Sequence, residues 1–181
     1  MNLLHKQILS APGTAGTEGT QLASGPRQRW LTIATSSVDR AGDILVLEGM
    51  DAEHFLSNPQ FLWQHGASGE TISTIGKVLD LRVVGGVPAA PAQSLLALVE
   101  YATPDISPLA EQVFQMDLAG LLPANSIGFR PIEYEANEFG GYTFTQWELI
   151  ECSKVELPMN PEAVDSGKSY SVEQATDWLL A

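Results

Sequence analysis

A histidine and a serine far apart in the sequence could together supply a reactive hydroxyl. His65 ends an aromatic, strand-like stretch and is followed by Gly66. A histidine there could act as a neutral base in a partly dry pocket, or could simply close a strand at its rim. Ser126 opens another predicted strand, and Gly128, two residues on, would leave room for a substrate backbone. Serine is a weak nucleophile unless an adjacent base takes its proton, and otherwise it satisfies a loop backbone group.

The acid that would complete such a pair is predicted on the strand pattern Tyr142–Val155. Its alternation places Glu148 on one face with Phe144 and Cys152, and places Glu151 on the other face. A carboxylate among apolar neighbours is costly unless it is paired. Either glutamate could orient a histidine and stabilise its cation, which is the role of the acid in a Ser-His-acid triad. A solvent-facing glutamate on an edge strand is the alternative for both.

Other kinds of site lack support in the sequence. It contains no phosphate-binding loop, no dinucleotide fingerprint, no zincin motif and no nucleophile elbow of an α/β-hydrolase. The other histidines, His5 and His54, are scattered and do not suggest a metal cage with His65. The single cysteine, Cys152, excludes an internal disulfide and a cysteine-based zinc site, and it is interpreted as a small core residue. We expect neither a metal nor a cofactor.

The patterns around these residues predict an α+β protein. A helix is predicted over Ser107–Ala119, with Ser107 as its N-cap and Leu109, Val113 and Met116 as its core-facing stripe. A shorter helical segment is predicted at Asp51–Leu56. Because strands and helices do not alternate, the order favours a compact, mostly antiparallel β-barrel surrounded by a few helices. The predicted strands are Arg29–Thr35, Phe61–His65, Thr74–Val84, Ser94–Tyr101, Asn125–Glu135 and Tyr142–Val155.

The chain divides into three parts by composition. Residues 1–28 are predicted to be a flexible tail, because positions 10–26 consist mainly of alanine, glycine, serine, threonine and proline. Residues 29–168 form the predicted folded domain. Residues 169–181 are predicted to be a C-terminal helix or tail, with a short helix at Val172–Leu180.

Charge and hydropathy limit the partners. The 181 residues include 9 Lys and Arg and 22 Asp and Glu, for a net charge of −13. Such a surface repels phosphate backbones, so we expect no nucleic-acid partner. No run of about 18 apolar residues is present, so we expect no membrane span. The N-terminus is a poor secretory signal, which favours an intracellular protein.

Taken in order, four segments resemble the prohead (head maturation) proteases of tailed bacteriophages. These segments cover about residues 29–165, which is most of the chain. The last of them is the most specific, through its E-C-S-x-V-x-x-P-x-N-P run. The segments read SVDRAGDILVLEGM, then NPQFLWQHG followed by STIGKV, then NSIGFRPI, then ELIECSKVELPMNPEA.

The resemblance implies a fold and a set of catalytic residues. The family is similar in fold to the herpesvirus assemblin proteases, which are compact β-barrels ringed by helices with a serine nucleophile. His65 would be the general base and Ser126 the nucleophile. Glu148 is the preferred third member, because it lies four residues before Cys152, where the assemblin strand carries its second histidine. Glu151 is the second choice, since the family's E-x-S-x-V run also favours an acid there.

The implied function is a viral prohead maturation endopeptidase. Its substrates would be the capsid and scaffold proteins, cut in the host cytoplasm inside the assembling prohead by an acyl-enzyme mechanism. The resemblance also favours a homo-oligomer. The main alternative is a non-catalytic capsid assembly or scaffold protein on the same fold. Two others are a small acyl hydrolase and a ligand-binding barrel lined by Trp30, Trp63 and Trp147.

Overall fold

Alternating apolar residues form the six strands that the sequence predicts, and two very short strands join them. The computed structural model describes residues 25–67, 72–87 and 90–165. The two-residue strands β2 and β3 follow the turn at Gly42 and were not predicted. The strands are β1 (Gln28–Thr35), β2 (Ile44–Leu45), β3 (Met50–Asp51), β4 (Gln60–Trp63), β5 (Thr74–Val87), β6 (Ala90–Tyr101), β7 (Asn125–Ala136) and β8 (Tyr142–Lys154).

All eight strands belong to one mixed sheet. Its main path runs β1-β6-β5-β4-β8-β2, and β3 and β7 also pair with β8. The pairs β1–β6, β6–β5, β5–β4 and β7–β8 are antiparallel, whereas β2, β3 and β4 run parallel to β8. The expected α+β class is confirmed. The central position of β8 means that this strand carries neighbours on both of its edges.

The sheet curls into a half-barrel and does not close, which corrects the expected barrel. The strands β1 and β7 lie near each other across the opening, but side chains rather than a backbone ladder join them. Asn125 Nδ2 donates to the Thr32 carbonyl at 3.0 Å, and Thr32 N donates to Asp165 Oδ1 at 3.1 Å. A segment from near the end of the described chain therefore fills the place where a closing ladder would stand.

The core lies inside the curl of the sheet, under the longer helix. Helix α1 (Glu53–Ser57) is short, and helix α2 (Pro108–Leu118) begins at the predicted cap, where Ser107 Oγ accepts from Ala110 N at 3.1 Å. The predicted apolar stripe of α2 is partly wrong, because Met116 is exposed. Its buried residues are Ala110, Val113, Phe114 and Asp117.

Two predicted regions lie at the limits of the described chain. Most of the predicted N-terminal tail and the whole predicted helix Val172–Leu180 fall outside the described residues. Arg27 already belongs to the folded part, since its guanidinium donates to Glu111 Oε2 and to the Ala102 carbonyl, both at 2.7 Å. In the described part of the chain, none of the helices has the length and apolar character needed to span a membrane.

The thiol of Cys152 is expected to be unreactive in the folded protein. Its side chain is fully buried, as the sequence predicted, and burial raises the pKa of the thiol well above its usual range, with the Glu151 carboxylate adding to the rise. Because the thiolate is the reactive form, an aromatic disulfide reagent should modify the native protein at least about 100-fold more slowly than the urea-unfolded protein. Equal rates would show that Cys152 is not in the core.

Candidate active site

A bulge in β8 changes how the two candidate glutamates lie relative to each other. Gly128 on β7 is paired with Glu151, but the next residue, Phe129, is paired with Leu149. Ile150 is therefore an extra residue on β8. An extra residue locally interrupts the two-residue alternation of a strand, so side chains before and after it no longer follow one phase.

The prediction of strict alternation along Tyr142–Val155 is wrong for this reason. It assigned Leu149 and Cys152 to opposite faces, yet both are fully buried in the core. Periodicity in a sequence does not reveal where a bulge stands. The same alternation assigned Glu148 and Glu151 to opposite faces. Their partners Arg130 and Gly128 are two residues apart on β7, so both glutamates lie on one face.

After the bulge, one face of the β7–β8 pair collects the polar residues of the site. Ser126 lies opposite Ser153, and Gly128 lies opposite Glu151. Residues directly opposite each other in an antiparallel pair have side chains on the same side, and so do residues two apart on one strand. The register thus places Ser126, Ser153 and Glu151 on one face. Ser126 is 8% exposed, and Ser153 is fully buried.

His65 reaches this face from the other edge of β8. Strand β4 runs parallel to β8, with Leu62 paired to Ser153. The predicted strand Phe61–His65 is too long, since the chain leaves β4 after Trp63 and enters a 3-10 turn over Gln64–Gly66 that packs against β7 and β8.

The backbone of this turn is strained. Gln64 has φ 52° and His65 has φ 56°, and both therefore lie in the left-handed region. Among the described residues these are the two non-glycine positions with positive φ. Such a conformation costs roughly 1–2 kcal/mol for each L-residue, and retained strain of this kind clusters at functional sites.

His65 and Glu151 form the central contact of the site. His65 Nδ1 lies 2.6 Å from Glu151 Oε1, and Ser153 Oγ donates to the other carboxylate oxygen, Oε2. The His65 side chain is 42% exposed, whereas that of Glu151 is 16% exposed. With Nδ1 turned to the carboxylate, the other ring nitrogen, Nε2, is left to exchange a proton with an external group. This is the arrangement of histidine and acid in serine hydrolases.

Glu148, the preferred acid in the sequence analysis, does not contact His65. Arg130 lies opposite it in the register, and Arg130 Nε donates to Glu148 Oε2 at 2.7 Å. The Glu148 side chain is 8% exposed and Arg130 is 67% exposed, so this is an ion pair at the edge of the sheet. The structure brings His65 together with Glu151, the second choice. The E-x-S run was the sequence signal that favoured it.

Ser126 shares the face with Glu151 without a hydrogen bond to the base. Within the described ranges, no hydrogen bond joins Ser126 Oγ to His65. Bonds between nucleophile and base are often long in unliganded enzymes and tighten when substrate binds. The turn of His65 packs against the strand that carries Ser126, so the two side chains lie in the same region of the molecule.

Gly128 has a different role from the predicted one. A Cβ built at this position would lie 2.7 Å from Glu151 Oε1 and 3.0 Å from Glu151 Cγ. The space that the missing side chain leaves open is therefore occupied by the carboxylate and not by a substrate backbone. The absence of a side chain at Gly128 therefore makes room for the Glu151 carboxylate.

A buried ionic cluster that the sequence analysis did not predict lies next to the site in the chain, at Lys154. Lys154 is fully buried, and its ammonium donates to Asp117 Oδ1 at 2.8 Å and to Asp165 Oδ2 at 2.9 Å. Arg29 and the Tyr101 hydroxyl also reach Asp117, at 3.1 and 3.0 Å. Burial raises the pKa of Tyr101 well above its usual value, and the Asp117 charge adds to the rise. The cluster fixes the end of β8 beside Ser153.

Two further features bear on ligands. Among residues 25–67, 72–87 and 90–165, no group of three or more histidine, cysteine, aspartate or glutamate side chains could hold a metal ion. An open cleft of about 740 Å³ lies between β5, β6 and the start of α2, and its lining includes Tyr101, Ile106 and Leu109. His65, Ser126 and Glu151 do not line this cleft, so it is separate from the candidate active site.

No protein-family model, no curated protein and no solved structure matches this chain. What the site can do chemically follows from its own geometry.

Proposed function

We propose that the protein is a serine endopeptidase with Ser126 as nucleophile, His65 as general base and Glu151 as the acid. The observation that carries the proposal is the 2.6 Å contact between His65 Nδ1 and Glu151 Oε1 beside the face that holds Ser126. Three separate stretches of chain, together spanning about half its length, supply these groups. An incidental surface ion pair would not be expected to place a histidine on the same face of the sheet as the candidate nucleophile.

The chemistry follows the ordinary course of acyl transfer. His65 Nε2 takes the proton of Ser126 as its Oγ attacks the peptide carbonyl, and the imidazolium then gives that proton to the leaving amine. Glu151 remains ionised, holds the ring and stabilises the imidazolium. Water, activated by the same histidine, then hydrolyses the acyl-enzyme and restores the Ser126 hydroxyl.

We further propose that the substrates are viral head proteins. The support is that the motifs resembling the prohead proteases supply the same residues that lie together in the site. FLWQHG supplies His65, NSIG supplies Ser126 and Gly128, and ECS supplies Glu151 and Ser153. On this proposal the enzyme cuts the scaffold protein, the capsid protein or both, works as a homo-oligomer and acts inside the assembling prohead in the host cytoplasm.

A non-catalytic head assembly protein on the same fold is the second candidate. The observation in its favour is that, within the described residues, Ser126 Oγ makes no hydrogen bond to His65. Such a protein would need the fold but not the hydroxyl of Ser126. Removing that hydroxyl therefore separates the two candidates.

Co-expression with the capsid and scaffold proteins of the same virus tests the proposal. The unchanged chain should yield shortened head proteins, and Ser126→Ala should yield them at full length. Ser57→Ala is the matched control, because Ser57 is exposed at the end of α1. Equal processing by the Ser126→Ala variant would overturn the proposed nucleophile, and no processing by the unchanged chain would favour the assembly protein.

Gly128→Ala is expected to slow the acylation of Ser126 by about 100-fold, since a misplacement of about 1 Å in an active site can cost that much. The new methyl group would meet the Glu151 carboxylate and push it away from His65. The rate constant for inactivation by a fluorophosphonate measures the effect. Ser57→Ala is the control, because Ser57 is exposed at the end of α1. An unchanged rate in Gly128→Ala would contradict the proposal that Gly128 makes room for the Glu151 carboxylate.

A further inference from the structure

We propose that Ser153 is a positioning residue that holds the Glu151 carboxylate in the orientation His65 requires. The inference rests on the proposed function and extends it to a fourth side chain. Ser153 Oγ donates to Glu151 Oε2, while Glu151 Oε1 faces His65 Nδ1. Each oxygen of the carboxylate thus has its own partner.

Ser153 stands at a rigid point of the sheet. Its backbone is paired on one side with Ser126 of β7 and on the other with Leu62 of β4. Its side chain is fully buried. Because pairing with two strands fixes the Ser153 backbone, the position of its hydroxyl limits the orientations in which the Glu151 carboxylate can accept the hydrogen bond.

The hydroxyl also needs its carboxylate partner. Burying a hydroxyl without a hydrogen bond costs free energy, and in the described part of the chain the Glu151 carboxylate is the side-chain partner that the Ser153 hydroxyl has. An alanine would fill the same buried position without that requirement. The serine is therefore explained by what it does to Glu151 and not by packing.

Glu151 needs such a restraint because its own side chain is flexible. A glutamate has several rotatable bonds, and ordering it carries a substantial entropic cost. The space beside Gly128 limits where the carboxylate can lie, but it does not fix the rotation of the carboxylate about its last bond. The hydrogen bond from Ser153 fixes that rotation and directs Oε1 toward the ring.

A double-mutant cycle on acylation tests whether Ser153 acts through Glu151. The rate constant for fluorophosphonate inactivation is measured for the unchanged chain, Ser153→Ala, Glu151→Ala and the double variant. Ser153→Ala should lower the rate about 10- to 100-fold, as expected for a lost hydrogen bond to a charged group. In the Glu151→Ala background it should change the rate less than about twofold, because no carboxylate remains to be held.

The same fall in both backgrounds, or no fall in either, would overturn the proposal. A merely structural serine would give the first of these results. Ser57→Ala is again the matched control and should leave the rate unchanged. Thermal unfolding of all the variants shows that the comparison is made between folded proteins.

A spectroscopic measurement keeps the test independent of catalysis. The chain has three histidines, so the ring ¹⁵N signals of His65 are assigned by comparison with His65→Ala. At alkaline pH the unchanged chain should show the proton on Nδ1, and Ser153→Ala should show a mixture of both tautomers. Unchanged signals in Ser153→Ala would overturn the positioning role. Absence of acylation at Ser126 in the unchanged chain would instead overturn the proposed function.

Discussion

His65→Ala is expected to slow the acylation of Ser126 by about 10²–10⁴-fold, which is the usual contribution of a general base. Without the ring, no group is positioned to take the hydroxyl proton as Ser126 attacks. The variant is expected to fold, because the His65 side chain is 42% exposed and, among the described residues, its polar contact is with Glu151. The inactivation rate with a fluorophosphonate and the thermal midpoint, measured together, separate a loss of chemistry from a loss of structure.

The two glutamates provide the matched comparison for this prediction. Glu151→Gln should also slow acylation, by up to about 10⁴-fold, as the amide does when it replaces the acid of a serine protease triad. Glu148→Gln should leave the rate within about twofold, since Glu148 is bound by Arg130 and not by His65. Both substitutions keep the size of the side chain and remove one charge. A larger effect at Glu148 than at Glu151 would contradict the assignment of the acid.

Lys154→Met is expected to lower the free energy of unfolding by about 3–5 kcal/mol. The ammonium group is fully buried between Asp117 and Asp165, whose side chains are 1% and 12% exposed. Removing it leaves both carboxylates without this partner, and in the described part of the chain Arg29, at 3.1 Å from Asp117, is the cation that remains. Breaking a buried ion pair by deleting one partner costs about this much because a buried charge is left uncompensated.

Urea unfolding followed by tryptophan fluorescence measures this change. The control is Lys77→Met, which removes an exposed lysine paired with Glu100 at 3.2 Å. Lys77 is 56% exposed, so its loss should cost less than about 1 kcal/mol. Comparable losses in the two variants would show that Lys154 is not held in a buried cluster.

Local patterns predicted the elements that position the site. The period-two runs of β5, β6, β7 and β8 and the capped helix after Ser107 depend on neighbours within a few residues, so the sequence carries their signal directly. The apolar stripe of α2 was partly wrong, because which side of a helix is buried depends on the sheet it packs against. In the structure Ala110 and Phe114 face that sheet, and Met116 does not.

The features that decide the chemistry are not local. The extra residue Ile150 in β8 is defined only by its partner strand, since the register passes from Gly128–Glu151 to Phe129–Leu149. Glu148 was preferred because it lies four residues before Cys152, and that spacing does not show which carboxylate reaches His65. The left-handed backbone at His65 is likewise unexpected for a residue with a side chain. The bulge lies on the strand paired with the one that carries Ser126, and the turn of His65 packs against that strand.

The buried cluster around Lys154 shows a third limit of sequence reasoning. A lysine in a strand is expected to lie at the surface, yet here its side chain meets aspartates from α2 and from residue 165. Those partners are 37 and 11 positions away in the chain. No spacing rule connects them, because the connection is made by the curl of the sheet.

Mapping the site of fluorophosphonate attachment by mass spectrometry shows whether Ser126 is the nucleophile. One adduct, on Ser126, is expected in the unchanged chain and in Glu148→Gln, and no adduct is expected on the same timescale in His65→Ala. An unlabelled Ser126 in the unchanged chain, or equal labelling of that serine without His65, would contradict the proposed pair of nucleophile and base.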